Sequence, residues 1–161
     1  LPIWQLSAPS RSRFSGPPRF SDMTDHSAHH FGVTVTDLDR SIEFYRDVLG
    51  LDVQSRFSVS GEEFATGVGV EDAAGTFAHL DAGTARVELV EYDPEGDDAT
   101  GGAINQAGAT HLGLEVDDLD ATYEALPDDV ETLSEPHTTE SGTRILFVRD
   151  PDDNLIVLLE P

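Results

Sequence analysis

Cysteine is absent from the 161 residues, and so is lysine. The first absence removes disulfides, thiolate metal sites and a cysteine nucleophile together. The second leaves arginine as the only strong base: nine basic residues stand against 32 acidic ones, for a formal charge of −23. Such a chain repels nucleic-acid phosphates, so nucleic acid is excluded as a partner. There is no run of about 18 apolar residues, so no membrane span is expected. A Gly-rich phosphate loop of the Walker or dinucleotide type is missing as well.

What is present is a chain whose length suits one domain of ordinary size. Apolar alternation runs through it, which argues against disorder despite the charge. Acid excess without lysine reads as adaptation to a salt-rich cytoplasm. At molar salt the Debye length falls to about 3 Å, so self-repulsion is screened while carboxylates keep the surface hydrated. The alternative, an acidic face for a basic partner, fits less well because the acids are spread over the whole chain. The expected location is therefore cytoplasmic, in a high-salt cell interior.

Residues 1–22 differ from the rest. They hold Arg11, Arg13 and Arg19, four prolines, several serines and one acid, Asp22. They read as a disordered arm, or as upstream sequence from an early start assignment; the only methionine is Met23. The apolar core of about 7–15 residues that a signal peptide needs is missing. Residues 23–161 are read as a single domain.

An internal repeat organises that domain. His30-Phe-Gly-Val-Thr-Val-Thr-Asp-Leu-Asp39 matches His111-Leu-Gly-Leu-Glu-Val-Asp-Asp-Leu-Asp120 at a constant offset of 81. Each copy reads as a strand followed by a helix. Alternation puts Phe31, Val33 and Val35 on one face and His30, Gly32 and Thr34 on the other. Asp37 or Asp39 would cap a helix over 40–49 ended by Gly50, and Asp118 or Asp120 one over 121–126 ended by Pro127. Three more strands follow each helix, near 52–59, 75–81 and 85–91, then near 131–134, 144–149 and 155–160. Module one covers about 28–95, a Gly-, Asp- and Ala-rich linker about 96–108, and module two about 109–161. The order is βαβββ twice, an α+β layout.

His30 and His111 begin equivalent strands on the face turned away from the helix. A lone histidine at a strand end is more often structural, but two at repeat-equivalent positions suggest convergence on a metal, for which neutral imidazole is the commonest ligand. Glu88 is the third candidate. In Arg86-Val-Glu-Leu-Val-Glu-Tyr92, Val87 and Leu89 share one face while Glu88 shares the other with Val90. An acid flanked by apolar residues is a ligand or lies on a strand's wet side.

Together, His-X-Gly-X-X-Val-X-Asp-Leu, Tyr45-Arg-Asp-Val-Leu-Gly50, the Val-Glu-Leu strand and Arg149-Asp-Pro-Asp-Asp-Asn154 before a final apolar strand resemble the glyoxalase/bleomycin-resistance/dioxygenase superfamily over 28–161. The resemblance implies a vicinal-oxygen-chelate fold: two βαβββ modules forming a curved mixed sheet around a metal site. Its glyoxalase and epimerase branches place four ligands at positions that fall on His30, Glu88, His111 and Val157. The last is a departure, since those branches have Glu there. Glu160 is three residues on and faces the opposite side, and His29 has the wrong parity relative to His30. His79, His137 or Glu140 remain as fillers of the open position.

The resemblance implies a divalent metal (Zn, Ni, Mn, Co or Fe) on His30, Glu88 and His111. It implies a lyase or isomerase similar to glyoxalase I, working through a metal-stabilised enediolate on a small-molecule substrate, with Glu88 as the proton carrier. Two alternatives stay open: an extradiol-type dioxygenase with Fe(II), and a non-catalytic drug- or metabolite-binding protein, for which Val157 speaks. Family members commonly form homodimers, sometimes completing the site across the interface. Arg56, Arg86 and Arg144 are scarce cations, each available for a substrate carboxylate or for a surface ion pair.

Overall fold

Two aspartates start the two halves of the fold in the same way. In the computed structural model, which describes residues 26–161, Asp37 and Asp118 both have extended backbone. Each side chain accepts from the N–H three residues on, Arg40 or Ala121, at 2.9 Å. This is N-capping of an otherwise unpaired donor. A second carboxylate closes each helix start: Leu38 N–H donates to Glu91 at 2.7 Å and Leu119 N–H to Glu160 at 2.8 Å. The arm read at 1–22 lies outside the described residues.

Module one runs β1 (His30–Thr34), α1 (Leu38–Glu43), β2 (Val53–Val59), α2 (Glu62–Val68), β3 (Ala74–Asp81) and β4 (Arg86–Asp93). Module two runs β5 (His111–Glu115), α3 (Leu119–Ala125), β6 (His137–Thr138), β7 (Arg144–Arg149) and β8 (Leu155–Glu160). Each builds its own four-stranded mixed sheet, in the orders β1-β4-β3-β2 and β5-β8-β7-β6. The first and last strands of each module pair in parallel, and the remaining neighbours are antiparallel. The fold is therefore the expected α+β duplication, as two sheets that do not close on each other.

Several boundaries differ from the sequence reading. Helix α1 starts two residues earlier than expected and widens into a π-helical turn over Phe44–Val48, where Leu49 N–H reaches back to Phe44 O. The strand expected near 131–134 is reduced to a single bridge, Thr132 to Val148, and the last strand to pair is the two-residue β6. Pro136 has no N–H to give a ladder, which is the physical reason the pairing breaks there. Helix α2 was not foreseen: none of its residues is buried, and its last turn holds Gly67 before the left-handed cap Gly69, so neither periodicity nor propensity marks it.

The apolar faces of both sheets feed one core cluster, with Val33, Leu38, Tyr45, Leu80 and Leu89 from module one and Leu119, Leu146, Ile156 and Leu158 from module two. Truncating a fully buried leucine there to alanine should cost about 2–5 kcal/mol. A polar clasp also joins the modules. Asp150 is buried and accepts from Tyr45 Oη at 3.0 Å, from Asp152 and Asn154 N–H, and from the Asn154 side chain. Asp152 accepts from Thr36 and Arg40. The Asp-Pro-Asp-Asp-Asn turn thus docks the β7–β8 corner onto the β1–α1 junction.

Candidate functional site

Strand register brings one histidine from β3 into the site along with the two residues expected from β1 and β4. Gly32 pairs with Glu88 across the parallel β1–β4 edge, and His79 pairs with Glu88 across β3–β4. Val87 and Leu89, on either side of Glu88, are fully buried in the core, which turns Glu88 to the other face, away from α1. Its carboxylate lies between two imidazoles. His79 Nε2 is 2.7 Å from Oε2, and His30 Nε2 is 3.5 Å from Oε1. Both His79 and Glu88 are mostly covered, with 14% and 16% of their side chains exposed, whereas His30 is more open at 37%.

A polar chain leads from there to a cation. Arg86 Nη1 donates to His29 Nε2 at 3.0 Å, and His29 Nδ1 is 2.7 Å from His30 Nδ1. Arginine can only donate, so His29 accepts at Nε2 and carries its neutral-form proton on Nδ1. His30 then accepts at Nδ1, and its Nε2 is the nitrogen turned toward Glu88. His29 was expected on the wrong parity. It precedes β1, so strand alternation does not govern it, and its ring stands edge-on to His30 at 5.0 Å.

The remaining candidates lie elsewhere. His111 starts β5 and packs edge-to-face on Phe147 at 5.4 Å; among the described residues no side-chain bond joins it to His30 or Glu88. Val157 pairs with Gly113 and with Phe147, which makes it the counterpart of Glu88 by register. Glu160 caps α3 and pairs with Arg144, so it is occupied away from this face. His137 and Glu140 are exposed, on β6 and the turn that follows it. Of the three fillers named for the open position, only His79 reaches Glu88. Its signal was present in the sequence, because His79 shares the face of Phe77 in β3, but the β3–β4 register needed to use it was not.

Next to His79 the same face is aromatic. Phe57 stacks on Phe77 at 5.1 Å and stands edge-on to His79 at 5.1 Å, while Phe64 of α2 and Tyr92 extend the cluster. The face thus has a polar end, His30, His79 and Glu88, and an apolar end.

The fit to a divalent cation divides between chemistry and geometry. Two imidazoles about one carboxylate are a donor set suited to Zn, Fe and their neighbours. Yet among the described residues of one chain no group of three or more His, Asp or Glu side chains converges closely enough to hold an ion. Module one brings His30, His79 and Glu88 together, and module two presents His111 beside apolar Phe147, with Val157 next to Phe147 in register.

Comparison with known proteins agrees with this architecture. The sequence model of the Glyoxalase/Bleomycin resistance protein/Dioxygenase superfamily matches residues 27–158. A probable lactoylglutathione lyase of Vibrio cholerae is 29% identical over 144 residues, covering 86% of this chain and 93% of its own. One from Synechocystis is 28% identical over 138 residues, covering 81% and 92%. The crystal structure of a glyoxalase family protein from Bacillus cereus superposes with a TM-score of 0.74 at 25% identity, covering 82% of this chain and 91% of that one. The chain belongs to the glyoxalase/bleomycin resistance protein/dioxygenase superfamily.

Proposed function

We propose that the chain is a divalent-metal-dependent lyase or isomerase of the glyoxalase type, acting on a small molecule with two adjacent oxygens. The observation that carries this reading is the Glu88 carboxylate held between His30 and His79 on the open face of sheet one. The relatives named as probable lactoylglutathione lyases support it.

His30, Glu88 and His111 would hold the ion, which when bound supplies Lewis-acid polarisation of the substrate oxygens. The chain's own residues divide the remaining work. His79 fixes Glu88 Oε2 at 2.7 Å, while Oε1, with its nearest imidazole nitrogen at 3.5 Å, is the loosely held oxygen. Oε1 is therefore the atom suited to take a proton from one substrate carbon and return it to the next. The aromatic end of the face excludes water from the apolar part of the substrate.

Because His111 does not meet the module-one pair within one chain, a homodimer in which a second copy presents its β5 face is part of the proposal. Val53, Phe57 and Val59, all exposed on the edge strand β2, are apolar surface that such pairing would cover. The acid excess supports a cytoplasm at molar salt as the working environment.

The test is formation of lactoylglutathione from methylglyoxal and glutathione in molar KCl after loading with Zn, Ni, Mn, Co or Fe in turn. Turnover by the wild type that is lost in Glu88→Gln supports the lyase. Absence of turnover with every metal overturns it and favours the binding-protein reading, to which the apolar pair Phe147 and Val157 points.

A further inference from the structure

Five of the six described arginines are neutralised by a carboxylate: Arg40 by Asp152, Arg46 by Asp47, Arg56 by Asp39, Arg144 by Asp120 and Glu160, and Arg149 by Glu131. Among the described residues Arg86 alone has no acidic partner. That is unexpected in a chain with 32 acids for nine arginines, and it sits beside the candidate site. Its bonds go to neutral acceptors, Gln54 Oε1 from Nε at 3.1 Å and His29 Nε2 from Nη1 at 3.0 Å. The acid opposite it in register, Asp81, accepts from Gly83 N–H instead.

We propose that Arg86 is the seat for a substrate carboxylate, so that the small molecule handled by the His30–Glu88 site is an anion; this rests on that pair being the reacting centre. Arg86 lies two residues before Glu88 on β4 and pairs in register with His30. Strand alternation gives it the face of Glu88, roughly 7 Å along the strand. A carboxylate on Arg86 therefore stands a few bonds from the carbon that Glu88 reaches. Gln54 and His29 occupy Nε and one Nη1 hydrogen, which leaves the Nη2 hydrogens and the second on Nη1 to make the planar fork that binds a carboxylate. The excess of acid elsewhere repels an anion, so among the described residues this unneutralised guanidinium is the arginine that selects for it. The aromatic cluster of Phe57, Phe77, Phe64 and Tyr92 on the same side suits an apolar body. Arg56 and Arg144, the other two cations considered from sequence, are excluded by their ion pairs.

The experiment is calorimetric titration of the full chain, stripped of metal so that no ion captures the carboxylate, with 4-phenylbutyrate and with its neutral amide, 4-phenylbutanamide. The wild type should bind the acid about tenfold more tightly than the amide, a difference of about 1.4 kcal/mol. R86Q should bind the two alike, and R56Q should keep the preference, since that arginine is already paired. Equal binding of acid and amide by the wild type overturns the proposal. So do a preference that survives in R86Q, a preference lost equally in R56Q, and failure of the acid to bind at all. The outcome is independent of turnover: a silent lyase assay leaves the preference standing, and loss of the preference leaves the lyase reading standing.

Discussion

Glu88 and Val157 hold equivalent places in the two modules. Glu88 pairs with Gly32 across β1–β4 as Val157 pairs with Gly113 across β5–β8, and their antiparallel partners are His79 and Phe147. One module thus carries a carboxylate and an imidazole where the other carries a valine and a phenylalanine. The two modules share a frame, and at this pair of positions only module one is polar.

Restoring the missing carboxylate tests this equivalence. Val157→Glu should tighten retention of a divalent ion against a chelator, measured by competition. Val157 is only 7% exposed, so the metal-free variant should lose about 1–3 kcal/mol of stability in denaturant titration. No gain in affinity would show that the two positions are alike in register only.

His79 should act through Glu88. His79→Phe, which copies the residue at the module-two position, removes the 2.7 Å bond that orients the carboxylate. Loss of such an outer hydrogen bond to a ligand typically lowers metal affinity about 10- to 100-fold. His79→Gln, which can still donate, should recover part of it. Equal affinity in wild type and His79→Phe would remove His79 from the account.

Glu160 should behave oppositely to Glu88. It accepts from Leu119 N–H at 2.8 Å and pairs with Arg144. Glu160→Ala should therefore cost about 1 kcal/mol of stability through the lost helix cap, with metal content unchanged. A variant that loses metal but keeps its stability would reverse the assignment.

Much of this was legible beforehand. The 81-residue offset gave two modules, and the alternation around Glu88 gave its face, because both are local patterns that burial enforces. The strand ladder could not be read, because register depends on contacts between distant segments. His79 was therefore one of three equal fillers, and Arg86 one of three equal cations, until β3 and β4 were paired. Helix α2 went unseen because none of its residues is fully buried. Glu160, by contrast, was set aside on parity, and in the fold its carboxylate accepts from Leu119 N–H and pairs with Arg144.

The clasp between modules predicts a pH dependence. Burial, then the charge of Asp150 and its hydrogen bond, then Asp152 push the Tyr45 hydroxyl well above its usual value of 10.0; Arg40, the nearby cation, is paired with Asp152. The folded chain keeps this proton at pH values where the unfolded chain releases it. This contribution to stability is therefore complete below pH 10 and declines as pH rises beyond it. Thermal midpoints between pH 8 and 11 at fixed salt should fall more steeply for the wild type than for Tyr45→Phe. Parallel slopes would mean that the clasp does not hold the proton.

The most direct test of the central claim is metal content. Purified wild type and Glu88→Ala, kept in molar salt and reconstituted with divalent ions, would be compared by elemental analysis, with His111→Ala alongside. About one ion per site in the wild type, lost in both variants, is the predicted result, and loss in the His111 variant would show that module two completes the half-site of module one. A wild type that retains no ion after reconstitution would contradict the claim and leave a ligand-binding protein on an enzyme's frame.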